Sequence, residues 1–159
     1  MKRASELDSL LAFYDEAYDR AAWHGPNLKA SLRRLTEDEA AWRPSPRRHN
    51  VWELAMHAAY WKYAVRRRLT GGKRGGFSER GSNWFARPAP GRSLREDLRL
   101  LENEHRLLRG VIAGLPASRL SRTLPGTRHT VRRMVWGVAA HDIYHAGQIR
   151  LLRSLRRTA

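Results

Sequence analysis

Apolar residues recur along most of this chain at intervals of three and four, the period of a helix that buries one face. Leu7, Leu10, Leu11, Tyr14, Ala17, Tyr18 and Ala21 set the first stripe and predict a helix from Ser5 to about Trp23. His24-Gly25-Pro26 then bends the chain, and Pro26 can open a new helix at a position whose amide needs no partner. Leu28, Leu32 and Leu35 continue the stripe. Thr36 and Glu39 form a capping-box pair for one short turn through Trp42, which Pro44-Ser45-Pro46 stops. Asn50 with Glu53 marks the start of a third helix running to about Leu69. Ser93 with Glu96 opens a fourth through Leu94, Leu98, Leu101, His105, Leu108 and Ile112, ending near Gly114 and Pro116. The last begins around Thr130 and carries Val131, Val135, Val138, His145, Ile149 and Leu152.

No segment sustains the period-two alternation of a strand, so the fold class is all-α, with four principal helices and short accessory helices. Residues 70–92 interrupt the pattern with glycine and proline. A connection that long in a small domain crosses a bundle or lines a site. The 159 residues suit one domain, able to bury a core without disulfides or a structural metal, so a metal here is expected to be functional.

Composition narrows the chemistry. The absence of cysteine excludes thiolate metal sites, cysteine nucleophiles and iron-sulfur clusters, leaving nitrogen and oxygen as metal ligands. No apolar run is long enough to cross a bilayer, and the start turns acidic where a signal peptide is apolar, so the expected location is cytoplasmic, with no membrane partner. The formal charge of +16 invites a nucleic-acid reading. Against it, only Lys2, Lys29, Lys62 and Lys73 of the 31 basic residues are lysine, a bias that base composition alone produces. The arginines are also dispersed, at Arg33 and Arg34, Arg66 to Arg68, Arg132 and Arg133, and Arg153 to Arg157, as on solvated helix faces.

His141 and His145 stand four residues apart on a helical segment, so their rings project from one face about a turn apart. His57 lies among Leu54, Ala58, Tyr60 and Trp61, where an unpartnered imidazole is costly to bury. If these helices are neighbours, three nitrogens converge, with coordination positions left open as in catalytic sites. The competing reading is three core histidines, each with its own hydrogen bond. Glu53, one turn before His57, reads either as a catalytic base orienting a metal-bound water or, more simply, as the cap on Asn50. Asp142 invites comparison with the His-Glu-x-x-His zinc motif but is a methylene shorter, and a solvent-facing side chain is the expectation. Tyr144 and Gln148 are near enough to line a pocket. His24 is either a fourth polar group at the site or part of a turn; His49, His105 and His129 show no partner pattern. Most of the six tryptophans are expected in the core, while Trp84 and Phe85 either cover the site or pack the long connection onto the bundle.

The Trp52-Glu53-Leu54-Ala55-Met56-His57 helix start and the segment from His141-Asp142-Ile143-Tyr144-His145 to Ile149 resemble the DinB-like superfamily, as do Ala22 to Pro26 and Thr36 to Pro44. The resemblance spans nearly the whole chain and keeps the helix order. It implies a four-helix bundle with a long crossover connection, frequent homodimers, and a divalent metal on His57, His141 and His145. Zinc or nickel is favoured, and iron or manganese is chemically compatible with imidazole. It also points toward metal-dependent enzymes acting on small molecules, either thiol transferases using low-molecular-weight thiols or hydrolases. The alternative from another class is a non-enzymatic metal-containing protein whose basic surface engages nucleic acid or another acidic partner.

Overall fold

The computed structural model describes residues 5–81 and 83–159; the extreme start, on which the reading against a signal segment partly rests, lies outside them. Among the described residues six α-helices form, in the order α1 (Glu6–Tyr18), α2 (Leu28–Ser31), α3 (Glu37–Ala41), α4 (Val51–Thr70), α5 (Leu94–Ala113) and α6 (Val131–Thr158), with a 3-10 turn at Ala117–Arg119. No strand occurs among the described residues, only an isolated bridge between Thr123 and Thr130, and the all-α expectation holds. No helix of the described residues is long and apolar enough to cross a membrane.

The caps read from sequence do their expected work. Asn50 accepts from the Glu53 amide at 2.8 Å while the Glu53 carboxylate takes the Asn50 amide at 3.3 Å, closing the first turn of α4. Thr36 with Glu39 and Ser93 with Glu96 form the same box. Gly71, at φ +73°, ends α4 in the left-handed conformation that only glycine adopts without strain. Two boundaries differ: α1 stops at Tyr18 rather than near Trp23, and α2 opens at Leu28 behind an Asn27 cap rather than at Pro26. The Asn27 side-chain amide donates to the Arg20 carbonyl at 2.7 Å and its oxygen caps α2, so Asn27 turns the chain that periodicity alone would have continued.

Pairings across the helices define the bundle. Trp52 meets Asp97 and Arg66 meets Glu104, so α4 and α5 run parallel. That direction requires the chain to return along the length of α4, roughly 30 Å for twenty residues, which is what residues 71–93 do. α6 runs antiparallel to α4, pairing His57 with His145 and Lys62 with Asp142, while α1 follows α6 through Glu6 with Arg132 and Phe13 with Trp136. One apolar cluster, around Tyr14, Leu69, Ile112 and Val135, fills one end of the bundle. A second, around Leu28, Leu54, Leu101 and Ile149, fills the other.

A polar layer sits within this core. Lys62 and Asp142, both 0 % exposed, form an ion pair, and the Lys62 ammonium also reaches the Tyr14 hydroxyl at 3.5 Å and His105 Nδ1 at 3.4 Å. His105 is stacked on Tyr14 and Tyr18, with ring centroids 4.6 and 3.8 Å apart. Asp142 is therefore not solvent-facing, contrary to expectation. The inner face of α6 carries Val135, Val138, Asp142, His145 and Ile149, and position 142 falls on that stripe. The tryptophan expectation also fails: only Trp52 is fully buried, Trp23 is wholly exposed, and Trp136 sits on the surface against Phe13.

Candidate metal centre

The antiparallel packing of α4 and α6 places His57 opposite His141 and His145. Nε2 of His141 lies 3.2 Å from Nε2 of His57 and 3.0 Å from Nε2 of His145. The opposite edges of two rings are already committed. His57 Nδ1–H donates to the Asn83 carbonyl at 2.8 Å, and His145 Nδ1–H donates to Gln148 Oε1 at 2.6 Å. Gln148 is itself oriented by its amide, which donates to the Tyr144 hydroxyl at 3.2 Å. These bonds fix the tautomer that leaves a lone pair on Nε2 of both His57 and His145.

Three neutral imidazoles so arranged cannot satisfy one another. His141 can donate one Nε2 proton to one neighbour, which leaves at least one imidazole lone pair without a donor. A cation resolves the conflict. For metal–nitrogen bonds near 2.0–2.1 Å, ligand nitrogens sit about 3.3 Å apart in a tetrahedron and about 2.9 Å apart at right angles, and the observed separations fall between these. The electrostatics agree. Burial pushes His141 down to about 3, helped by His145, His57 and Lys62. Burial also pushes His145 down to about 4, against the opposing Gln148 bond, and lowers His57 against the bond to Asn83. All three are neutral at pH 7, the form that binds metal.

The long connection builds one wall. Trp84 is sandwiched between His57 and His49, with centroid distances of 3.8 and 3.7 Å and nearly parallel planes. Phe85 is buried with Trp52, Met56 and Leu94, so packing is the account for Phe85, while Trp84 both packs and lines the site. The three rings open onto a cavity of about 660 Å³, which Trp61, Trp84, Tyr144, Gln148, Leu151 and Leu155 also line.

Glu53 is one turn away but outside the three-histidine group. Its carboxylate receives Arg43 at 2.9 Å, His49 at 3.0 Å, and the amides of Asn50 and Arg87 at 3.3 Å. These donors hold its pKa below the ordinary carboxylate value although burial works the other way. The geometry is that of a cap that also ties down the long connection. His24 is exposed in the turn between α1 and α2 and lines neither cavity beside the histidines. Sequence reading missed His49, although its four-residue spacing from Glu53 on one helix entrance was a usable signal. It also missed Asn83, whose contribution is a backbone carbonyl and leaves no side-chain signature.

The fold and the site together define a helical-bundle protein with a buried three-histidine group compatible with binding a divalent metal. A family model described as the DinB superfamily matches residues 20–149, and the chain belongs to that superfamily. No curated protein and no solved structure matches it.

Proposed function

We propose that this protein is a metal-dependent enzyme acting on a small molecule, as a thiol transferase or a hydrolase, with His57, His141 and His145 as the metal ligands. The observation that carries this reading is that the three Nε2 atoms converge at the wall of a 660 Å³ cavity and not inside a closed cage. A structural site would be sealed by a fourth protein ligand, whereas here only three His, Asp or Glu side chains converge among the described residues. When bound, a zinc or nickel ion would supply Lewis acidity, bringing a coordinated water or thiol toward ionisation near neutral pH.

The chain's own residues have definable parts. Asn83 and Gln148 hold the ring orientation of His57 and His145, and Trp84 stacks on His57 so that the ring cannot turn. Leu151, Leu152 and Leu155 give the cavity an apolar side that keeps water away from a bound substrate, and Tyr144 offers a hydroxyl there. Glu53 acts as a positioning residue, fixing His49 and the Arg87 amide and through them the connection that carries Asn83 and Trp84. A homodimer is also proposed, supported by the exposed Trp136, Tyr144, Leu151 and Leu155 along α6 and tested by light scattering.

Elemental analysis of protein purified without a tag or chelator tests the centre: about one transition-metal equivalent is expected, lost in His57→Ala and His141→Ala. A screen of thiol and ester substrates then tests the activity, and absence of any metal-dependent turnover would remove the enzyme reading. Glu53→Gln is expected to keep the metal while lowering the melting temperature; loss of turnover with metal and stability intact would instead make it the base.

A further inference from the structure

A second cavity, of about 380 Å³, lies against the other side of the same wall. It shares Trp61 and His141 with the cavity onto which the imidazoles open. Its lining includes Val65, Met134 and Val138, and its polar side chains are Arg68, Arg133 and His129, with no carboxylate among them. We propose that this second cavity binds the anionic group, a carboxylate or a phosphate, of the small molecule whose reactive end reaches the three histidines.

The case rests on where the arginines lack partners. Most arginines near the bundle core are neutralised: Arg66 grips Glu104 with two bonds of 3.0 Å, Arg109 grips Asp15 at 2.7 and 2.8 Å, and Arg43 meets Glu53 at 2.9 Å. Arg68, two residues beyond Arg66, forms no ion pair or side-chain hydrogen bond among the described residues, and neither does Arg133. Arg68 is half-buried, on the last turns of α4, and Arg133 stands across the cavity on the first turn of α6. Two arginines that line one hollow without a carboxylate beside them favour an anion there, which each guanidinium can grip through paired N–H donors. The apolar floor suits a short hydrocarbon stretch, and the volume lies within the range of small-ligand pockets. The ligand class is therefore an acid with a short apolar body, its charged end at Arg68 and Arg133, lying past Trp61 toward the histidines.

This inference rests on the proposed function only for where the reactive end lies, and calorimetry separates the two. Metal-loaded protein is titrated with inorganic phosphate, with succinate and with neutral succinamide at low ionic strength. Saturable binding of phosphate or succinate but not succinamide is expected, weakened at least about tenfold in Arg68→Gln/Arg133→Gln and unchanged in Arg99→Gln, an exposed arginine on α5. Whichever anion binds more tightly names the charged group. Arg133→Gln alone, on the exposed face, is expected to weaken binding and serves if the double variant does not fold. His57→Ala is expected to bind the anion as the wild type does, so the anion site survives even if the metal centre fails its own test. Loss of anion binding in His57→Ala would place the anion on the metal centre and overturn the proposal. Absence of saturable binding, or equal binding in the double variant, would do so too.

Discussion

His141 and Asp142 are neighbours on α6 yet belong to two polar regions built on opposite terms. Around Asp142, the Lys62 ammonium has three donors and meets three acceptors, Asp142, the Tyr14 hydroxyl and His105 Nδ1, with aromatic faces of Tyr14 and Tyr18 about 4.8 and 4.9 Å away. The region is closed, spans α1, α4, α5 and α6, and leaves one Asp142 oxygen as its single unmatched carboxylate atom. Around His141 the balance is reversed. Acceptors outnumber donors, a cavity opens beside them, and His141 Nδ1 has no partner among the described residues. Buried polar groups that complete one another hold a fold in register, whereas groups that conflict until something is added form a binding site.

Breaking the closed region should have the largest effect on stability. Lys62→Met leaves Asp142 buried without its counter-ion and is expected to lower the unfolding free energy by about 3–5 kcal/mol in urea titration, with much of this regained in Lys62→Met/Asp142→Leu. If the single variant is as stable as wild type, the layer is not a structural element. In the open region the order is reversed: His145→Gln is expected to abolish stoichiometric metal by elemental analysis while changing metal-free stability by only about 1 kcal/mol. Gln148→Leu keeps all three ligands but releases the His145 ring, and competition with a chelator should show metal affinity about 10- to 100-fold weaker.

A pH series sharpens the comparison further. Burial, then Lys62 and Arg109, pushes His105 down to about 2 in the folded protein. Below about pH 6.5 the unfolded chain takes up a proton there that the folded chain refuses. This contribution to stability is therefore complete above that pH and is lost as pH falls toward 2, by up to about 1.4 kcal/mol per unit. Asp142, raised to about 6 by burial, acts with the opposite sign between its unfolded value and 6. The difference between wild type and His105→Gln isolates the histidine: the variant should lose stability less steeply between pH 6.5 and 4.5, and identical slopes would show His105 protonated in the fold.

Much of this was legible in the chain. Capping pairs marked the starts of α3, α4 and α5 because they are local, formed within three residues. His141 and His145 showed themselves through helical spacing, and His57 through resemblance. Lys62 with His105, 43 residues apart, and Arg68 with Arg133 left no trace, because no spacing rule links side chains on different helices.

The amino-acid sequence by itself determined an all-helical chain, its main helix starts and the identity of three candidate ligands, since periodicity, caps and a four-residue pair act within one or two turns. Only the tertiary structure decided the rest. The antiparallel meeting of α4 and α6 turned three separate histidines into one group, buried Asp142 on a lysine rather than exposing it, and left two arginines facing a hollow beside the site. Those outcomes depend on which faces are removed from water together, and that is set by the packing of the whole bundle.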